Sequence, residues 1–298
     1  MWVFFMKSGS IDITNLSGGI DLFHTLESGQ SYLWRRVDGE PYGENSATTW
    51  YETGIGETAV QIQERSDSIA WRSNTNASEM IAQILRLDDD LCEIYGAMPN
   101  DSVIQAACNR FSGMRLVNDP VFPCLISFIC STQMRVPRIH RMQQSLIKTF
   151  GTPLDLGTQT INAYPTPAAI AASDESTLRD LGLGYRAPYV LETATMVANG
   201  HDPSRASELP YEQARSYLTQ YPGVGEKVAD CVLLFSLGFL EAVPLDTWIQ
   251  TAIETEFPDC AKDSYAKTSA AIRNRLGGDI AGYTQTYLFH YLRTRDGL

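Results

Sequence analysis

Lysine is scarce in this chain, whose 298 residues contain it only as Lys7, Lys148, Lys227, Lys262 and Lys267. Aspartate and glutamate number 35 against 23 for lysine and arginine, so the formal net charge is −12. Taken alone, that charge argues against a polyanionic partner such as nucleic acid. The balance is also typical of adaptation to a salt-rich cytoplasm, where a Debye length of about 3 Å at 1 M salt screens repulsion from remote acidic groups. We therefore expect a salt-adapted source organism.

Long apolar runs are absent as well. No stretch approaches the roughly 20 apolar residues that cross a bilayer, which excludes a membrane-spanning helix. The start, residues 1–7, is apolar but shorter than the apolar core of an export signal, and no basic residue precedes it. We expect it to form a first β-strand, unless Met6 is the true start. We expect a cytoplasmic protein with no membrane partner.

Cysteine spacing excludes two further classes. The six cysteines lie in mostly apolar stretches and form no CxxC pair: Cys92, Cys108, Cys124, Cys130, Cys231 and Cys260. Without an export signal, a disulfide framework is not expected. We predict free thiols, no metal site and no cofactor.

The pattern of apolar residues divides the chain in two. Alternation over 58–64 and 68–71 predicts an antiparallel sheet in an N-terminal domain at residues 1–100. From residue 78 onward the period becomes helical. After residue 100 it predicts ten helices, over 102–118, 122–134, 138–150, 166–181, 187–199, 211–221, 226–238, 247–256, 264–275 and 279–293. The predicted fold class is therefore α+β, an N-terminal antiparallel β-domain packed on a larger all-helical region at residues 101–298.

Residues 221–227, YPGVGEK, carry the most specific local signal. Pro222, Gly223 and Gly225 favour a tight turn that lets the next helix offer its free N-terminal N–H groups to a phosphate. Such a helix-hairpin-helix, at about residues 211–238, binds the phosphate backbone of a nucleic acid and does not read its base sequence. Lys227 would lie in the first turn of the second helix, one turn from Cys231, where an amine can serve as a nucleophile. A solvated surface lysine is the ordinary alternative.

Asp246 lies nineteen residues after Lys227. It precedes a predicted helix, so it is also a favoured N-cap. A carboxylate there can cap the helix and still present one oxygen to a reacting centre. A lysine nucleophile and a carboxylate, both behind a phosphate-binding hairpin, predict an enzyme that acts on DNA bases.

Five segments in order extend this signal over nearly the whole chain: SGQSYLWR (28–35), SFICST (127–132), LGLGYRAPYV (181–190), PGVGEKVADC with VPLD (222–246) and GYTQTYLFH (282–290). Together they resemble the 8-oxoguanine branch of the helix-hairpin-helix DNA glycosylase superfamily. The resemblance implies a monomeric base-excision enzyme that removes 8-oxoguanine paired with cytosine from double-stranded DNA and then nicks the strand as a lyase. Related endonuclease III-type enzymes carry four closely spaced cysteines for an iron–sulfur cluster near the C-terminus, and none follows Cys260 here.

The resemblance also implies catalytic roles. Lys227 would attack C1′ of the damaged nucleotide and form a Schiff base whose β-elimination nicks the strand. Asp246 would stabilise the positive charge that develops on the sugar. The hairpin residues Gly223, Val224 and Gly225 would contact DNA phosphates.

A flipped-out base needs a pocket that covers its faces and reads its edges. By the resemblance, Cys231 and Phe289 would cover the two faces. Gln285 would bond the Watson–Crick edge, and the Gly29 carbonyl would accept from the N7–H that 8-oxoguanine has and guanine lacks.

On the opposite strand, the resemblance assigns Arg138 and Arg186 to the unpaired cytosine. Tyr185 would wedge into the base stack, and Gln133 would fill the vacated space. The chain departs from the family's pattern at two places. Gln133-Met134-Arg135 replaces an asparagine run, and Trp248 replaces a phosphate-contacting histidine.

Two other functions fit parts of the pattern. One is a monofunctional alkylated-purine glycosylase of the same fold, against which Lys227 argues. The other is a non-catalytic hairpin protein that only binds DNA, for which Asp246 and the pocket residues would have no purpose.

Overall fold

The computed structural model describes residues 6–38, 41–44, 46, 48–157 and 159–295. Five strands lie in its N-terminal part: β1 (Lys7–Asp12), β2 (Arg35–Arg36), β3 (Tyr51–Ile55), β4 (Thr58–Glu64) and β5 (Ser68–Ser73). They form one antiparallel sheet in the spatial order β1-β5-β4-β3-β2. Of the strand predicted at the start of the chain, residues 1–5 lie outside the described residues. The alternation predicted for β4 places Val60 and Ile62 in the core.

Fourteen α-helices follow or interrupt these strands in the described part of the chain: α1 (Leu22–Glu27), α2 (Ser78–Ile84), α3 (Leu91–Ala97), α4 (Ser102–Arg110), α5 (Val121–Ser131), α6 (Val136–Phe150), α7 (Pro167–Ala171), α8 (Glu175–Leu178), α9 (Ala187–Ala198), α10 (Tyr211–Leu218), α11 (Glu226–Ser236), α12 (Thr247–Thr255), α13 (Tyr265–Arg275) and α14 (Ala281–Arg295). None of these described helices has the length and apolar character that crossing a bilayer requires.

The predicted α+β fold, with a helix-hairpin-helix in the larger region, is confirmed. That region is not all-helical, however, because β6 (Pro153–Asp155) and β7 (Thr160–Asn162) form an antiparallel hairpin. Leu156 and Ile161 pack on Ala59 of the sheet. The hairpin is held by this long-range contact, which no local pattern shows. The division at residue 100 stays a prediction.

The prediction of one helix over 102–118 is wrong beyond Arg110, where α4 ends. Gly113 has a φ of +89°, and a Cβ there would lie 2.9 Å from the backbone nitrogen of Asp21. After α4 has ended, the chain therefore turns at Gly113, where it lies against Asp21. Arg115 is then fully buried and donates to four backbone carbonyls, those of Ser17, Gly19, Arg86 and Asp89.

The prediction of one helix over 166–181 is also wrong. Asp174 starts a new helix by accepting from the Thr177 N–H at 2.8 Å, which separates α8 from α7. A π-helical turn (Arg179–Leu183) and a 3-10 turn (Gly184–Arg186) follow. Gly182 and Gly184 have φ values of +89° and +58°, which glycine adopts without strain. An irregular turn therefore presents Tyr185 and Arg186.

Asp119 connects α5 to α11 through its backbone. Its N–H donates to the Phe235 carbonyl at 2.8 Å, and Ser236 Oγ donates to its carbonyl at 2.7 Å. The carboxyl group is buried, and Oδ1 has no hydrogen-bond partner among the described residues. Burial therefore raises the pKa of Asp119 to about 7.

We expect Asp119→Asn to weaken the pH dependence of stability. Between the ordinary aspartate pKa of 3.8 and about 7, the folded protein keeps a proton that the unfolded chain releases. The contribution of Asp119 to the free energy of unfolding should therefore fall as the pH rises through that window. Thermal unfolding at several pH values measures the difference, and the asparagine variant should lose less stability towards neutral pH. Parallel curves for the two proteins would contradict this assignment.

Candidate active site

The hairpin between α10 and α11 has the geometry that its sequence predicts. Gly223 has a φ of +78°, and a Cβ there would lie 2.9 Å from Cβ of Tyr189, so glycine is required. Val224 is buried, and its N–H donates to the Tyr221 carbonyl at 3.1 Å. Gly225 is the N-cap of α11 and brings no side chain to cap it. The first N–H groups of α11 are therefore available to an anion.

Lys227 lies in the first turn of α11, as predicted, and is half-buried. Its Nζ donates to Ser131 Oγ at 3.3 Å and lies 5.4 Å from the ring centroid of Phe128. Ser131 uses its own proton to bond the Phe128 carbonyl at 2.7 Å, so its oxygen is left to accept from the amine. One hydroxyl and one aromatic ring thus position the amine.

Asp246 is the N-cap of α12, where its Oδ1 accepts from the Ile249 N–H at 2.8 Å. The capping role is therefore present, and the same carboxylate also lines the cavity that holds Lys227. Burial raises the pKa of Asp246, and the charge of Lys227 and the N–H groups of Ile249 and Trp248 oppose that rise. The carboxylate can thus serve the helix and the cavity together.

A second carboxylate, that of Asp230, ties α11 to the segment before α12. Asp230 is fully buried on α11 and accepts from Tyr211 Oη at 2.8 Å and from Tyr265 Oη at 2.7 Å. The Tyr265 oxygen in turn accepts from the Leu245 N–H at 3.1 Å. The helix that carries the lysine and the chain that leads into residue 246 are therefore joined by two consecutive hydrogen bonds.

A cavity of about 1060 Å³ opens beside the hairpin. Its walls bring together most of the residues that the sequence singled out: Gly29, Gln133, Gly223, Gly225, Lys227, Cys231, Asp246, Gln285 and Phe289. The last two lie one turn apart on α14, as their spacing predicts. The cavity is large enough for a nucleoside, and its mixed apolar and polar walls are typical of a ligand site.

Gly29 forms part of the cavity wall with a φ of +98°. A Cβ there would lie 3.0 Å from Val136 Cγ2 and 3.1 Å from Arg293 Nη1. Both the backbone conformation and the lack of space therefore require glycine. A ligand in the cavity can approach this backbone more closely than it could approach any other residue type.

Cys231 is buried in the same wall, and burial raises the pKa of its thiol to about 12 although the charge of Lys227 opposes the rise. The thiol therefore stays protonated at neutral pH and presents a small surface, not a nucleophile. All six cysteines are free, as predicted. The amine of Lys227 is left as the nucleophile that this wall offers.

Three of the four residues assigned to the opposite strand lie at or next to Thr132, which lines the cavity. Gln133 follows α5 with a φ of +53°, and it lines the cavity together with Thr132. Tyr185 is 49% exposed, which is the exposure that a wedge requires. Arg186 is only 3% exposed and donates to the Thr132 carbonyl, while its guanidinium lies 4.3 Å from the Tyr185 ring centroid. Arg186 thus supports both the loop and the tyrosine from within the protein.

Arg138 lies apart from the cavity. It is exposed on α6 and lines a second, shallower groove of about 310 Å³ with Arg141 and Gly182. Its neighbours Pro137 and Ile139 line the large cavity, so the two concave surfaces share the first turns of α6.

One wall of the cavity, near the sheet, is formed by residues for which the sequence provides no prediction. Tyr42 lines the cavity with a φ of +63°, and its N–H donates to Glu27 Oε2 at 2.5 Å. Glu27 also accepts from Arg36 Nε at 2.6 Å and from Tyr51 Oη at 2.8 Å. The loop around Tyr42 has no apolar period, so no signal pointed to it. Ser131, by contrast, lies inside the SFICST segment, which could have identified it.

Two family models match the chain. Residues 12–125 match the model described as the 8-oxoguanine DNA glycosylase N-terminal domain. Residues 126–276 match the model described as HhH-GPD superfamily base excision DNA repair protein. The two matches follow each other without a gap and cover strands β2 to β5, the hairpin and α12.

Relatives and solved structures agree with these matches. The probable N-glycosylase/DNA lyase of Methanothermobacter thermautotrophicus is 31% identical over 94% of this chain and 96% of its own. The N-glycosylase/DNA lyase of Saccharomyces cerevisiae is 33% identical over 86% of this chain and 73% of the yeast protein. The apo form of the 8-oxoguanine glycosylase/lyase of Clostridium acetobutylicum superposes with a TM-score of 0.82 at 25% identity, over 97% of this chain and 100% of that one. The chain therefore belongs to the HhH-GPD superfamily of base excision DNA repair proteins, and its N-terminal part is that of the 8-oxoguanine DNA glycosylases.

Proposed function

We propose that this protein excises 8-oxoguanine paired with cytosine from double-stranded DNA and then cleaves the abasic strand. One observation carries the proposal: the amine of Lys227 and the carboxylate of Asp246 line a single cavity that can hold a flipped-out nucleotide. The names of two relatives, N-glycosylase/DNA lyase, and of one structural neighbour, 8-oxoguanine glycosylase/lyase, support it. We further propose that the protein acts as a monomer in the cytoplasm, at the nucleoid.

Excision begins when the damaged nucleotide leaves the base stack and enters the cavity. As the bond between C1′ and the base lengthens, positive charge builds on the sugar, and the ionised carboxylate of Asp246 stabilises it. The ammonium of Lys227 first gives up a proton, and the lone pair that this leaves on Nζ forms a bond to C1′. The base departs with the electron pair of the broken glycosidic bond and takes up a proton.

Strand cleavage uses the same lysine. The amine on C1′ gives up a proton, the bond between C1′ and the ring oxygen O4′ breaks, and O4′ takes up a proton, which leaves a protonated imine between Nζ and C1′. Loss of a proton from C2′ then expels the 3′ phosphate by β-elimination, and water hydrolyses the imine. The free N–H groups after Gly225 would hold a backbone phosphate during these steps.

Base recognition follows from the cavity wall. The base would lie between Cys231 and Phe289, with its Watson–Crick edge towards Gln285 and its five-membered ring towards Gly29. The burial of Cys231 and Gln285 favours this arrangement, because both side chains are fixed before the base arrives.

Borohydride trapping tests the function. The protein is incubated with a duplex that carries 8-oxoguanine opposite cytosine, with and without borohydride. A trapped covalent adduct, together with a nicked strand in the untreated sample, is expected. Base release without an adduct would instead indicate a monofunctional glycosylase, and binding without base release would indicate a DNA-binding protein.

Preference for the base opposite the lesion should depend on Arg138. Arginine can donate twice to the edge of cytosine, so Arg138→Ala is expected to lower the preference for cytosine over adenine by about 1–3 kcal/mol. Excision rates with each of the four opposite bases measure it. Arg141→Ala, in the same groove, is the matched control and should leave the preference unchanged.

The preference for cytosine opposite the lesion should also depend on Arg186, which is buried. Arg186→Ala is expected to reduce the cytosine preference and, because it removes the bond to Thr132, also to loosen the loop before Gln133. A uniform loss of activity with all four opposite bases, for either variant, would show phosphate contacts instead of base contacts.

A further inference from the structure

Arg293 brings a positive charge into the wall of the base cavity. It lies one turn beyond Phe289 on α14, and its guanidinium carbon is 5.4 Å from that ring's centroid. Nη2 donates to the Glu27 carbonyl at 3.2 Å and lies 3.1 Å from His290 Nδ1. Burial lowers the pKa of His290 to about 2, so the ring is neutral and Nδ1 can accept this bond. Two partners thus anchor one arm of the guanidinium.

The other arm has no acceptor. Within the described part of the chain, Nη1 of Arg293 makes no hydrogen bond, and the guanidinium forms no ion pair with a carboxylate. Nη1 lies 3.1 Å from the point that a Cβ on Gly29 would occupy. Arg293 is partly buried and lines the cavity, so Nη1 is open to a ligand that enters the cavity. An unused N–H donor therefore lies beside the Gly29 backbone, in the wall where the base is expected.

We propose that Arg293 reads the flipped-out base by donating from Nη1 to one of its ring carbonyl oxygens. The inference rests on the proposed function, and it adds a donor to Gly29 and Gln285, the two residues assigned to hydrogen-bond the base. 8-Oxoguanine carries carbonyl oxygens at C6 and at C8, and either can accept from a guanidinium. Anchored by Nη2, the planar group needs little ordering to make the bond.

Binding measurements separate this role from a structural one. The parent protein is Lys227→Gln, which should bind without cleaving, and Arg293→Gln and Arg293→Lys are added to it. Each protein is titrated with two duplexes, one with 8-oxoguanine and one with a tetrahydrofuran abasic analogue that has no base, both opposite cytosine. Arg295→Gln, at the exposed end of α14, is the matched control.

We expect the Arg293 variants to bind the 8-oxoguanine duplex about 10- to 100-fold more weakly, as for loss of a charge-assisted hydrogen bond. Binding to the tetrahydrofuran duplex should not change, which also shows that the variants are folded. Equal losses on both duplexes, or no loss on either, would overturn the proposal. The Arg295 control should match the parent on both.

A third duplex, with 8-oxoadenine opposite cytosine, identifies the oxygen. This base keeps the C8 carbonyl but has an amino group at C6. A comparable loss with it assigns the bond to the C8 oxygen, and the absence of a loss assigns it to the C6 oxygen. If the parent itself fails to prefer the 8-oxoguanine duplex over one with guanine, the proposed function fails and this inference fails with it. If the parent keeps that preference and the Arg293 variants bind the 8-oxoguanine duplex as tightly as the parent does, the inference is contradicted and the proposed function is not.

Discussion

Lys227→Gln is expected to abolish both strand nicking and borohydride trapping while the protein still binds an 8-oxoguanine duplex. Glutamine can still bond Ser131 Oγ and remains at the start of α11, so the hairpin and the cavity keep their shape. It has no lone-pair nitrogen able to form an imine. Because removal of a covalent nucleophile costs up to about 10⁶-fold in rate, both products should fall below detection. Denaturing gels of single-turnover reactions measure them, and band-shift titrations measure binding.

Lys148→Gln provides the control, because Lys148 is exposed in the last turn of α6 and remote in sequence from the hairpin. That variant should nick and trap like the unmodified protein. Nicking retained by Lys227→Gln would remove the Schiff-base assignment.

Asp246→Asn is expected to slow base excision by about 10²–10³-fold, the loss typical of removing one group that stabilises charge in a transition state. Thermal stability should stay unchanged or rise. Asparagine keeps the cap on α12. Since burial raises the pKa of Asp246, the ionised carboxylate costs folding free energy above that pKa, and the neutral side chain removes this cost. Single-turnover excision and thermal unfolding at the same pH measure the two effects.

The control for capping is Asp174→Asn, which changes the N-cap of α8 in the same way at an exposed site. It should leave excision unchanged. A loss of stability in Asp246→Asn that is as large as its loss of activity would assign Asp246 to capping alone.

The part of the site that could be predicted from the sequence is the part whose geometry is determined by residues close to one another in the chain. Gly223 and Gly225 specify a turn, and the turn fixes where Lys227 begins the next helix. Gln285 and Phe289 face the same way because they are one helical turn apart. Asp246 could be recognised as a cap and as a cavity carboxylate, since both follow from its place before α12.

The rest depends on contacts between distant segments. Arg293 matters because Glu27 and His290 hold one arm of it, and nothing in its own neighbourhood of the sequence shows that. Arg186 is assigned to the unpaired cytosine by the resemblance alone, and the sequence gives no sign that it is buried against Thr132. The path of the chain after α4 has the same origin, because Gly113 lies against Asp21, which is distant in the sequence.

The two hydrogen bonds that run from Asp230 through Tyr265 to Leu245 have a consequence for how the protein opens. Local unfolding proceeds in roughly contiguous cooperative units. We expect the two segments that this buried polar link joins to open as one such unit. The nucleophile on α11 and the carboxylate at the start of α12 are then exposed together or not at all. A local opening that displaces Lys227 therefore also displaces Asp246. A partly open enzyme of this kind would not release the base and leave behind a sugar that it can no longer process.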